Sequence, residues 1–287
     1  MVSILFIIGA SISVVAFGFA EDLSEPTTVA TGDDQCVQSI EFDPSDVQGY
    51  ADDRETFTCV LWLDASQSES FENGEAVDRW EDTSTNEFDA TPDETDPEWG
   101  LKDGVEAVNF DGVDGSSLLV DAPPQDLNID ADRGVTVVVM VYVADASNDD
   151  AGLYSIGEDG AGADGDVFAI RQSNNANEEW WVDPGDTFDI TTEGRWAILT
   201  HTTDGNTFAT YVNGEETASG DVEAVLNGPF ELGSDDIRIG STTEDGVFEG
   251  YVAEYFVANE RIDDDKRAWV ECGMSQKHGD IVDVSGC

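Results

Sequence analysis

Nine consecutive residues, Val135-Thr136-Val137-Val138-Val139-Met140-Val141-Tyr142-Val143, carry no charge in a chain otherwise crowded with acids. The run is too β-branched for a helix and short enough for a central strand buried on both faces. Other strands follow from the same logic. Val60-Leu61-Trp62-Leu63 starts one, and Trp196 to Thr202 and Phe208 to Val212 flank an Asp204-Gly205-Asn206 reversal. Asn213-Gly214 is a second tight turn, because Asn and Gly accept the positive φ of a type I′ hairpin. Ile237 to Gly240 and Phe248 to Val257 complete the set. Short strands, Gly-rich turns and almost no helix describe a β-sandwich. One late helix is expected, with Asp263 capping residues 264–271 and acids at its positive end.

Several of these segments resemble the concanavalin A-like lectin/glucanase superfamily, specifically its laminin G-like domains. The opening Leu61-Trp62-Leu63-Asp64-Ala65-Ser66, then Trp80-Glu81-Asp82-Thr83-Ser84 and Ala90-Thr91, matches the family's beginning. Val108-Asn109-Phe110-Asp111-Gly112, Tyr211-Val212-Asn213-Gly214, Ile237-Arg238-Ile239-Gly240 and Phe248 to Glu254 follow in family order. The resemblance implies a mainly β fold, an antiparallel jelly-roll sandwich. To it the sequence adds a long N-terminal hydrophobic helix and a short C-terminal helix.

Charge narrows the partners. Against 11 Lys+Arg stand 64 Asp+Glu, a formal charge of −53 over 287 residues, spread from Glu21 to Asp283. Nothing here neutralises phosphates, so a nucleic-acid binder is excluded. With 40% hydrophobic residues the chain has the core-forming content that acidic disordered tails lack. Such self-repulsion is costly where the Debye length is about 8–10 Å and largely vanishes at about 3 Å in molar salt. Three Lys against eight Arg and the excess of Asp resemble proteins of extremely halophilic archaea.

The longest uncharged stretch lies at the N-terminus. From Val2 to Ala20 there is no ionisable residue and no Pro, enough for a helix of about 28 Å, the span of a bilayer core. A cleaved signal peptide, a plain transmembrane anchor and a type IV pilin helix all answer to that description. The first has Gly18-Phe19-Ala20 as a cleavage site but no basic residue before the apolar run. The opening Met1-Val2-Ser3-Ile4-Leu5-Phe6 resembles mature type IV pilins, and Leu5, where bacterial pilins carry Glu, resembles the archaeal branch. That resemblance implies a filament core built by Val2, Ile4, Leu5, Phe6, Ile8, Gly9, Ile12, Val15, Phe17 and Phe19, with small residues allowing close helix approach. The domains expected are a pilin-like helix over 1–22, a linker over 23–56, the sandwich over 57–271 and a disulfide-tied tail over 272–287. The function expected is a structural subunit of an extracellular type IV pilus-like filament that displays a lectin-like domain for adhesion. Self-association, a membrane-inserted precursor, and glycans or neighbouring cells as partners go with it. The alternative is a membrane-anchored or secreted carbohydrate-binding protein that does not polymerise.

Cys36, Cys59, Cys272 and Cys287 have neither CxxC spacing nor a nearby His pair, so two disulfides are expected, in any of three connectivities. Neighbour pairing would staple the tether and tail to the domain, and Cys59 with Cys272 is the rival.

No catalytic residue is expected. The glucanase relatives alternate carboxylates along one strand, with acid and nucleophile about 5–5.5 Å apart. Here Glu254 stands alone on its strand, Asp263-Asp264-Asp265 are adjacent rather than alternate, and His201 and His278 are far apart. Laminin G-like modules also imply Ca²⁺ at the sandwich rim, where Asp111, Asp114, Asp204 and Asn213 offer oxygen ligands against a background of solvated acids. Trp180 and Trp181 read either as a sugar-stacking platform or, by alternation, as one core and one surface residue.

Overall fold

The computed structural model describes residues 59–287, except 69–70, 85, 113–115, 121, 131–132, 145–150, 158–167, 173–178, 184–186, 190–193, 224–231, 234–235 and 243–245. The expected filament helix, linker and Cys36 lie outside the described residues. Among the described residues no helix is long and apolar enough to cross a membrane.

The chain forms two antiparallel sheets packed face to face. In the first sheet the order is β13 (Glu215–Asp221), β12 (Thr207–Val212), β11 (Trp196–Thr203), β6 (Val135–Val143), β16 (Glu249–Ala258), β4 (Val105–Asp111) and β3 (Glu98–Lys102). Strand β1 (Cys59–Asp64) pairs with the C-terminal half of β16, so first and last strands lie side by side. The second sheet runs β10 (Thr187–Asp189), β9 (Glu179–Asp183), β8 (Phe168–Gln172), β7 (Ala151–Ile156), β14 (Ile237–Ile239), β5 (Leu118–Val120) and β2 (Ala90–Pro92). A short β15 (Gly246–Val247) adds to β7 in parallel.

Strand β6 occupies the residues its apolar run marks out, and all nine are buried. Val137, Val139, Val141 and Val143 face the second sheet, where they meet a core that includes Leu153, Ile156, Phe168 and Ile237. Val138, Met140 and Tyr142 face the other way, into a second core closed by helix α1 (Asp264–Lys277). The unbroken run therefore exists because the first sheet is covered on both sides.

The helix begins as expected: the Asp263 carboxylate accepts the Lys266 N–H at 2.9 Å, and Asp264 and Asp265 fill its first turn. It ends later than expected. Nothing breaks it before Gly279 (φ 76°), and Val270, Cys272 and Met274 give it a buried stripe, so it crosses the anticipated 271/272 boundary and runs to Lys277. Cys272 is joined to Cys287, closing the tail onto the helix, while Val282 and Val284 cap the outer core. Cys59 is also disulfide-bonded.

Candidate functional site

Strand β16 contains one irregularity. Val252 pairs with Val141 but Glu254 with Met140, so Ala253 is an extra residue. Strict alternation from Val252 would aim Glu254 into the inter-sheet core. The bulge turns it instead to the helix side, directly opposite Asp64 of β1. Glu254 has no alternating acid beside it on β16, and its carboxylate neighbour comes from another strand, 190 positions away in the chain.

Both carboxylates are fully buried, and the end of α1 closes over them. Lys277 Nζ contacts Asp64 Oδ2 and lies 3.3 Å from Glu254 Oε2. The His278 ring donates from Nε2 to Glu254 Oε1 over 2.7 Å, and Trp62 Nε1–H donates to Glu254 Oε2 over 2.9 Å. On its far side, Asp64 Oδ1 accepts the Ser66 N–H at 2.9 Å and the Ser66 hydroxyl at 2.7 Å. The LWLDAS segment thereby divides its work. Leu61 and Leu63 enter the inter-sheet core, Trp62 and Asp64 face the helix, and Asp64 caps the short 3₁₀ turn Ala65–Gln67.

The two carboxyls are held in different states. Burial, and then the Glu254 charge, push Asp64 above the usual carboxylate range despite Lys277. For Glu254 burial also pushes upward, but the His278 hydrogen bond, Lys277 and Trp62 outweigh it and the group sits below its ordinary value. Ligand atoms of Asp64, Glu254 and His278 lie within 4.8 Å of one another, a spacing a cation could bridge. The Lys277 ammonium already stands among them and supplies that positive charge. Only one signal in the sequence points here, a Lys-His pair following the late helix in a chain with three lysines.

Among the described calcium candidates, Asp204 and Asn213 are held at opposite ends of β12. Asp204 sits in the β11–β12 loop, where its carboxylate accepts the Asn206 and Thr207 amides at 2.9 and 2.7 Å and pairs with Arg261. Those hydrogen bonds and Arg261 hold it below its ordinary value against some desolvation. Asn213 lies at the opposite end of β12, with φ 52° and its side-chain oxygen occupied by the Ile198 N–H at 2.8 Å. Asp111 ends β4, and Asp114 is outside the described residues. In each of the two turns a polar side chain is spent on backbone amides rather than aimed at a common point. Trp180 and Trp181 lie on β9 in alternate register positions, paired with Gln172 and Arg171 of β8. His201 is a core residue, stacked on Phe168 at 3.9 Å and 3.3 Å from the Tyr154 hydroxyl.

The W-x-D-x-S segment is a folding device. Trp80 is fully buried, and Asp82 accepts the amides of Trp62, Ser84 and Phe88 at 2.9, 2.8 and 3.0 Å, plus the Ser84 hydroxyl at 2.6 Å. One carboxylate thus pins the 82–88 loop to β1. With first and last strands paired and this loop locked beside them, residues 114–265 match a laminin G-like family model described as the Concanavalin A-like lectin/glucanases superfamily. The chain belongs to that superfamily.

Solved structures share the fold at low identity. A Trypanosoma rangeli sialidase in complex with the inhibitor DANA superposes with a TM-score of 0.54 at 17% identity, over 78% of this chain and 34% of that one. The binding domain of botulinum neurotoxin serotype D/C gives 0.52 at 12%, over 75% and 52%. That of Paraclostridial Mosquitocidal Protein 1 gives 0.51 at 12%, over 74% and 51%. The chain therefore spans about a third of the sialidase and about half of each toxin domain. No curated protein matches the chain.

Proposed function

We propose that this concanavalin A-like sandwich is a glycan-binding head, carried at the surface of a halophilic archaeon by a type IV pilus-like filament whose core is the apolar segment 2–20. The observation that carries the binding half is how the sandwich is closed. Helix α1 and the disulfide-tied tail cover the outer face of the first sheet, so a ligand meets the second sheet or the loops at the sandwich ends. The superfamily, the toxin binding domains and the sialidase share this sandwich, which supports recognition of extended polar ligands.

Binding without hydrolysis is the reading we favour. The carboxylate pair of Asp64 and Glu254 is fully buried beneath Lys277 and His278, with its oxygens already hydrogen-bonded. The filament half rests on the uncharged run from Val2 to Ala20 in a chain of charge −53. The test is a glycan array in molar KCl beside negative-stain microscopy of surface material. Saturable glycan binding, no release of reducing ends, and filaments lost on deletion of residues 1–20 are expected. Hydrolysis would overturn the non-catalytic reading, and filaments formed by the truncated chain would overturn the role of the segment.

A further inference from the structure

We propose that Asp64 and Lys277 are joined by an intramolecular amide bond, formed in the folded protein with Glu254 as the proton-transferring carboxylate. The cluster holds every group such a reaction needs. The amine and the acid are in contact beside Trp62 at the end of α1, the acid fully buried and the amine partly exposed, and a second carboxylate lies 3.3 Å from the amine. The ammonium also sits over the Trp62 ring, 5.5 Å from its centre, which fixes the direction from which Nζ approaches.

The two oxygens of Asp64 are unequal. Oδ1 is held by the N–H and O–H of Ser66, donors placed to stabilise an oxyanion, while Oδ2 faces Lys277 and is free of Ser66. The Lys277 ammonium first gives a proton to Asp64 Oδ2, leaving an amine and a carboxylic acid. The Nζ lone pair then attacks Cγ, and the carbonyl electron pair moves to Oδ1. Glu254 takes a proton from the new Nζ–Cγ adduct. The pair on Oδ1 returns, the Cγ–Oδ2 bond breaks, and Oδ2 leaves as water with the proton from Glu254. An ammonium and a carboxylate become one amide and one water, and Glu254 is regenerated with no oxidant or cofactor. The opposed shifts, Asp64 toward the acid and Glu254 toward the carboxylate, match an electrophile and a base. His278 is a positioning residue, holding Glu254 Oε1 so that Oε2 meets the amine.

The bond would tie β1 to the end of α1 and, with Cys272–Cys287, close nearly the whole sandwich into covalent rings. The test uses the full chain, purified in molar KCl, reduced, alkylated and digested with trypsin. The expected product is a branched peptide joining residues 55–79 to 268–287, lighter by one water than the two together, with Lys277 refractory to cleavage. Lys277→Arg keeps the ion pair but should give linear peptides, and Glu254→Gln should give mostly linear peptides. Linear peptides with free Asp64 and Lys277 from folded wild-type protein would overturn the proposal. Undiminished branching in Glu254→Gln would overturn the role of Glu254. If either variant fails to fold, the wild-type digest alone decides the bond.

Discussion

Replacing Arg267 with Met tests how a chain so short of cations uses them. The guanidinium donates from Nη1 to Glu271 Oε2 over 2.7 Å and lies 3.8 Å from the Tyr211 ring centre, while Glu271 Oε1 accepts the Thr200 hydroxyl at 2.6 Å. Glu271 is fully buried, and burial pushes it above the usual carboxylate range even with Arg267 beside it. Arg267→Met leaves that carboxyl without its cation, a loss of about 3–5 kcal/mol, with about 0.5–2 kcal/mol more from the ring contact. The double change Arg267→Met with Glu271→Gln keeps the Thr200 hydrogen bond and removes the charge, so most of the loss should return.

Two dependences sharpen the test. A raised carboxyl favours the folded state below its unfolded value, about 4.3, and that contribution is lost as pH rises through the folded value. Arg267→Met raises the folded value further, so its deficit against wild type should be large at neutral pH and shrink toward pH 4.5. The deficit should also persist in molar KCl, because buried charges are screened little. Urea unfolding followed by tryptophan fluorescence, wild type and variants at matched pH and salt, measures both. A neutral-pH deficit below about 1 kcal/mol, or a double variant as unstable as the single one, would refute the reasoning.

Asp82→Ala should cost about 2–4 kcal/mol, since three amides and a hydroxyl lose one acceptor, and hydrogen exchange should show the 82–88 amides opening first. Asn213→Ala should destabilise by about 1–2 kcal/mol through the positive φ and the lost Ile198 contact, and Asn213→Gly by less, as thermal melts would show. Gly240→Ala should be severe, because a Cβ there lies 2.3 Å from the Phe110 ring at φ 87°, and soluble yield in molar salt reports it.

The sandwich was legible because its signals are local. Val135–Val143 announces a strand covered on both sides, and Asn213-Gly214 fixes a hairpin through backbone conformation alone. The charge cluster was not, because three separate events assemble it. A one-residue bulge re-aims Glu254, pairing of the first and last strands delivers Asp64, and an extension of α1 past residue 271 delivers Lys277 and His278. None of these leaves a spacing in the sequence. The oxygen-bearing turn residues hold backbone amides: Asp204 accepts those of Asn206 and Thr207 at its own turn, and Asn213 accepts that of Ile198 on β11.

The positions of the cations explain how −53 coexists with a buried core. Salt shields carboxylates at the surface, but no ion atmosphere reaches Asp64, Glu254 or Glu271, each of which is fully buried. Interior acids must carry their own partners, and two of the 11 basic residues, Arg267 and Lys277, are placed near opposite ends of the same helix to meet them. Helix α1 is therefore more than a cover for apolar side chains, since it delivers the sheet's counter-charges from its inner face. Its docking and the neutrality of the buried sheet are one event, because a change that frees the helix takes Lys277 and His278 away from Asp64 and Glu254.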